Sequence, residues 1–162
     1  MDQKGTGLTF HESGIADALR QHTLSVPLNQ RSYRWSEDKV QTLIEDLTKA
    51  FNAGEHIYFL GTIVLTYGDG GRLEVADGQQ RLATTSILIA AIRDYLRSIN
   101  DSKSADKYQE DYLLEYDPSL EDYNTKLHLN YEDHDYFLET ILRPEEERKT
   151  YKGMTFLSHD RL

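Results

Sequence analysis

No cysteine occurs among the 162 residues, which excludes disulfides and thiolate zinc sites and leaves the cytoplasm as the expected location. Proline is nearly as scarce, at three, and no internal repeat or low-complexity tract is present. Long apolar runs are missing too: nothing approaches the roughly 20 residues a membrane helix needs. Met1–Gly7 has no apolar segment, so no signal peptide is expected. Positive charge is in deficit. The net charge of −10 argues against a general DNA clamp, because phosphate-dominated binding needs a basic face. The deficit is uneven, with 10 Lys/Arg against 12 Asp/Glu in residues 1–97 and 8 against 16 in residues 98–162. The first half is therefore free to carry a local basic patch, while the second half solvates helices or faces another domain.

What is present is one domain's worth of ordinary globular chain. The hydrophobic pattern predicts helices at about 12–20, 37–53, 79–99, 105–114 and 131–142, and strands near 23–27, 57–67, 72–76 and 126–129. Tyr58–Tyr67 reads as a buried strand, Gly68–Gly71 as a hairpin turn, and Arg72–Ala76 as the returning strand. In the long helix that follows, Leu82, Ile89, Ile92, Leu96 and Ile99 recur at helical spacing and mark the expected packing face. Asn100–Ser104 and Asp117–Ser119 are polar breaks. Glu145–Lys149 is expected to begin a further helix with little apolar surface, and the eleven tyrosines, mostly among acids in the second half, to cover helices.

Two stretches stand out chemically. Asp77-Gly78-Gln79-Gln80-Arg81 sits where the returning strand ends and the long helix begins. Asp77 as N-cap with Gln80 three residues on fits a capping box. Arg81 fits less well, because a cation in the first helical turn is disfavoured by about 0.3–1 kcal/mol unless an anion or carboxylate is close. A bound phosphate would supply that anion, held by backbone N–H groups and an arginine fork; an acidic side chain of the chain itself would serve as well. The second stretch, Gln30–Trp35, places two arginines, a tyrosine and the only tryptophan between the short strand Leu24–Val26 and a helix capped by Ser36. Arginines interleaved with rings suit phosphate contact and base stacking. They also suit aromatic cover for the core beside two solvated cations.

Pro27–Trp35, Tyr58–Leu65 and Asp77–Leu82, in that order and spacing, resemble the N-terminal domain of GmrSD-type, modification-dependent restriction enzymes. The same domain occurs in SspE-like phage-defence proteins, and Leu127–Phe137 is similar to its later segment, so the resemblance covers most of residues 8–142. It implies an α+β fold of the ParB/sulfiredoxin kind: a small mixed sheet with a hairpin, packed by several helices. It also implies a module that binds and hydrolyses an NTP, ATP or GTP, with Mg²⁺. Carried over onto this chain, Asp77 and Arg81 are the catalytic candidates. Gln30, Arg31, Gln79, Gln80 and Arg81 are the nucleotide contacts, Tyr33, Arg34 and Trp35 contact DNA or a base, and Asp77 holds the metal. Asn29 departs from the tyrosine common at that place, which puts a modified-base contact there in doubt. Residues 1–143 correspond to the domain, and 144–162 to the start of the helical region that leads, in such proteins, to a His-Asn-His-type nuclease. The expected partners are a nucleotide, DNA in the whole protein, and that nuclease domain or subunit, with no membrane.

Two other readings stay open: a ParB-like nuclease with Asp77 as metal ligand, and a non-catalytic sensor of modified DNA that reads through Gln30–Trp35. Other chemistry is thin. No P-loop motif exists. His11, His22, His56, His128, His134 and His159 lack zinc-site spacing, and Glu132–Asp135 reads as a solvated helix start.

Overall fold

The computed structural model describes residues 13–68 and 73–149; the expected Gly68–Gly71 turn falls largely outside these. The elements run α1 (Ile15–Gln21), β1 (Leu24–Ser25), α2 (Glu37–Asn52), β2 (Val64–Tyr67), β3 (Leu73–Asp77), α3 (Gln79–Ser98), α4 (Ser102–Tyr112), β4 (Leu114–Asp117), β5 (Asp122–Thr125), β6 (Leu127–His128) and α5 (His134–Phe137). A π-helical turn, Leu138–Leu142, continues α5, and a 3₁₀ turn follows at Glu145–Glu147. The fold is α+β, as expected. One sheet has the order β2-β3-β1-β6, and β4 with β5 forms a separate hairpin. In the main sheet β1 runs parallel to both neighbours, whereas β2 is antiparallel to β3. No helix among the described residues is long and apolar enough to cross a membrane.

The core gathers Leu24 on the central strand, Val75 on β3, Leu127 on β6, Leu82 and Ile89 on α3, and Phe137 and Leu142 from the last helical segment. Its helix face differs from the expected one. Leu82, Ala83, Ser86, Ile89, Ala90 and Arg93 are buried, while Ile92 and Ile99 are exposed. Small side chains at 83, 86 and 90 let neighbouring elements approach closely, so the stripe follows them and not the larger isoleucines.

The expected strand over 57–67 is also shorter in fact. Val64 pairs with Asp77, the last residue of β3, so the chain before Val64 has no partner strand to extend. Ile57 and Phe59 are accordingly exposed, and Gly61 takes a left-handed φ of 107° that a strand would not accept. The β4–β5 hairpin was not anticipated at all, because Leu114, Tyr116, Tyr123 and Thr125 alternate with acids and amides and have little hydrophobic contrast. Two of the tyrosines read as helix cover, Tyr116 and Tyr123, are cross-strand partners instead. Helix α4 starts three residues early because Asp101 caps it, accepting from Ser104 N at 3.2 Å. The Glu145–Lys149 run stops after one 3₁₀ turn, where Arg148 reaches back to Arg143 O and to Asp94.

The β3–α3 junction hinges on Gly78. It is the N-cap of α3 with φ 97°, and a Cβ there would lie 2.9 Å from Ile63 Cγ1 and 3.2 Å from Ile63 Cα. Gly78→Ala is therefore expected to cost about 1–3 kcal/mol in backbone strain alone, read as a lowered melting temperature. A variant as stable as wild type would show that the turn tolerates a side chain.

Candidate functional site

Parallel pairing of β3, β1 and β6 points the carboxyl ends of all three strands the same way, which is where open sheets with parallel strands place their ligands. Three loops meet there: Pro27–Trp35 after β1, the Asp77–Gly78 turn after β3, and Leu129–Asp133 after β6. The first turn of α3 adds the N–H groups of Gln79, Gln80 and Arg81, which have no intrahelical acceptor.

Side chains lock the loops together. Gln80 accepts from Arg34 N at 2.6 Å and donates to Ser32 O at 3.2 Å, reading the backbone of the first loop from the start of α3. Gln79 donates to Gln30 Oε1 at 3.3 Å, and Gln30 Nε2 donates to Ala76 O. From the other side Asn130 donates to Gln30 O at 3.0 Å, Asp133 accepts from Tyr33 N at 2.6 Å, and Glu132 accepts from Ser32 Oγ at 2.6 Å. Tyr33 Oη pairs with Thr84 Oγ1 at 2.9 Å. The two expected stretches, some 45 residues apart, are thus brought into direct contact.

Between them lies a cleft of about 10 Å³, room for a single water, walled by Arg31, Tyr33, Gln79, Gln80, Asn130 and Asp133. Burial pushes the Asp133 carboxyl up, and nearby Glu132 adds to this, while the Tyr33 amide pulls it down. The Tyr33 phenol is raised by burial as well, offset by its bond to Thr84. Arg31 and Arg34 are exposed and have no ion-pair partner among the described residues.

Asp77 and Arg81 sit differently from the capping-box reading. Asp77 ends β3, Gly78 is the cap, and no side chain caps the helix; Gln80 serves the Gln30–Trp35 loop instead. Arg81 folds over Gly61, donating to Thr62 O at 3.0 Å with Asp77 Oδ2 at 3.9 Å. A Cβ on Gly61 would come within 2.9 Å of Arg81 Nε, so this glycine makes room for the guanidinium. The nearby carboxylate that a cation in the first turn requires is Asp77, four residues back. The Asp77 side chain is 70% exposed and free to reach a ligand, and Arg81, 34% exposed, stands beside it.

Asn130, Glu132 and Asp133 are the residues that sequence reasoning missed. Glu132–Asp135 was expected to be a solvated helix start, yet Asp133 is half-buried and holds the Tyr33 amide. No local pattern announces a partner 100 residues away; the only signal was the similarity of Leu127–Phe137 to a known domain. His128 and His134 stack, with ring centroids 3.4 Å apart, and bracket the Leu129 peptide: Leu129 N donates to His134 Nδ1 and Leu129 O accepts from His128 Nδ1. Among the described residues no three His, Cys, Asp or Glu side chains gather closely enough to hold a metal.

The family model of the GmrSD restriction endonuclease N-terminal domain matches residues 15–159. No curated protein matches the chain.

Proposed function

Because the chain belongs to the family of GmrSD restriction endonuclease N-terminal domains, we propose that it is the nucleotide-binding regulatory module of a DNA-restriction protein. It takes ATP or GTP with Mg²⁺ and serves a C-terminal nuclease domain or subunit. The observation that carries this reading is the convergence of the loop bearing Arg31 and Arg34, which have no ion-pair partner among the described residues, with the start of a 20-residue helix at the carboxyl ends of three strands. Free N–H groups and guanidinium forks suit phosphate oxygens. The cleft is too small for a nucleoside, so the phosphates belong at its mouth, against Arg31, Arg34 and Arg81. Tyr33 is tied to Thr84, which leaves Trp35 as the ring for base stacking.

One exposed carboxylate suits Mg²⁺, which takes one or two protein carboxylates and completes its octahedron with water and phosphate oxygens. Asp77 fits that role. In hydrolysis a water oxygen bonds to the γ-phosphorus as the bond to the β,γ-bridging oxygen breaks, giving nucleoside diphosphate and inorganic phosphate. Asp77 orients this water or holds the metal, and Arg81 neutralises charge on the transferring group. The absence of a three-carboxylate cluster among the described residues gives the nuclease reading no support.

Titration of the chain with ATP or GTP and Mg²⁺ tests this. Arg31→Ala should leave the melting temperature unchanged while affinity falls by about 1.5–3 kcal/mol, the worth of hydrogen bonds to a charged group. Asp77→Asn should keep the fold and lose most turnover, since an amide lacks the charge the metal requires. No binding of either nucleotide at millimolar concentration, or full turnover by Asp77→Asn, would overturn the reading.

A further inference from the structure

A second cavity, about 500 Å³, opens between α4, the β4–β5 hairpin and the Glu145–Glu147 turn. Its volume is in the range of ligand sites, and its residues play no part in the nucleotide reading. Among the described residues, five carboxylates line it against two cations. Both cations are already engaged: Arg97 with Asp106 at 3.0 Å and Glu146 at 3.3 Å, Lys126 with Glu115 at 2.6 Å. Glu110, on the wall formed by α4, has no cation partner among the described residues. The cavity therefore presents a negative surplus to solvent.

Two further observations narrow the occupant. Tyr116 is 54% exposed and packs edge-on to Tyr123, with centroids 5.6 Å apart, so one ring face stays open beside the carboxylates. Tyr123 already carries the Arg143 guanidinium 5.7 Å from its centroid, which shows the pair accepting a cation. Gln109 is only 7% exposed; its Oε1 accepts from Arg93 and Arg97, while its Nε2 donor has no acceptor among the described residues. A ligand that fits must bring a cation for Tyr116 and Glu110 and a carbonyl for Gln109. A metal ion brings no carbonyl, and nucleic acid brings the wrong charge.

We propose that this cavity docks a basic segment of a protein partner, with an arginine or lysine side chain laid against Tyr116 beside Glu110 and a backbone carbonyl turned to Gln109. The full chain, ¹⁵N-labelled, is titrated with the peptide acetyl-Gly-Arg-Gly-Arg-Gly-amide. Amide signals of β4, β5 and α4 should shift, and the neutral acetyl-Gly-Gln-Gly-Gln-Gly-amide should not move them. Tyr116→Ala and Glu110→Gln, both at exposed positions, should each weaken binding about fivefold, the size of an exposed cation–π or charge contact. Glu37→Gln, the same charge change on α2, should leave binding within about twofold if attraction is local and not to the whole acidic chain. Absence of binding at about 1 mM peptide, equal binding of the neutral peptide, shifts confined to other elements, or an equal loss in Glu37→Gln would overturn the proposal.

Discussion

Replacing Arg93 with methionine should destabilise the protein by about 3–5 kcal/mol, the cost of removing one partner from a buried ionic network. Arg93 is fully buried on α3. Its guanidinium donates to the carbonyls of Leu142, Arg143 (3.1 Å) and Ile141 (3.4 Å), to Gln109 Oε1 (3.3 Å), and to Asp94 at 2.9 Å. Burial pulls its pKa down while Asp94 raises it. The π turn Leu138–Leu142 ends against this side chain, so carbonyls that any helix leaves without intrahelical donors are satisfied by Arg93 of α3, with Arg148 as a second donor to Ile141 O and Arg143 O. Methionine fills much of the volume but leaves Leu142 O without its donor, at about 1–3 kcal/mol, and leaves Ile141 O and Arg143 O with Arg148 alone. Arg93→Lys keeps the charge but loses the fork, and should recover only part of the loss. Urea denaturation at neutral pH measures both. Methionine within about 1 kcal/mol of wild type would mean that the network is replaceable by packing.

Arg93 shows why part of this molecule could not be read from its sequence. A lone arginine four residues after Ile89 on an amphipathic helix looks like surface, and only the arrival of residues 141–143 some 50 positions later makes it interior. Asp133 and Gln80 follow the same rule, since their hydrogen bonds join segments 100 and 46 residues apart. What was legible rested on local physics. Ser36 stands at the N-cap position of α2, though its side chain makes no capping hydrogen bond, α3 begins at Gln79 and runs for 20 residues, and the short strand at Leu24 and the return to Asp77 are where periodicity placed them. The turn Asp77–Arg81 was conspicuous because Arg81 defied the helix dipole, and the local resolution of that conflict is Asp77 and Thr62 O. The hairpin β4–β5 was illegible for the opposite reason: its residues conflict with nothing.

Acid should weaken the fold well before its carboxylates are neutralised, and His134 is the cause. Burial, helped by the neighbouring His128 and opposed by Asp135, lowers its pKa to about 4. Leu129 N donates to Nδ1, so the neutral ring carries its proton on Nε2, and protonation would turn a donor against a donor. With the folded value below the unfolded value of about 6.5, the unfolded chain binds the extra proton first. The stabilisation is complete above about pH 6.5 and is lost as pH falls through that value to about 4, amounting to about 3 kcal/mol by linkage. Asp133, its carboxyl raised by burial, acts in the opposite sense at the acid end of this window and trims the loss. Asp117 and Asp122, both held low by hydrogen bonds, add theirs only below the ordinary carboxylate value. His134→Asn keeps an acceptor near the Nδ1 position without a titrating group. It should lose about 1 kcal/mol at pH 7 with the ring stack, and its stability should be nearly flat between pH 6.5 and 4.5, as followed by urea midpoints at several pH values. Since Leu129 leads directly into Asn130 and Asp133, the wild type should also lose order around the Gln30–Trp35 loop over the same range. A variant with the wild-type slope would assign the acid sensitivity elsewhere and leave the stacked histidines as packing alone.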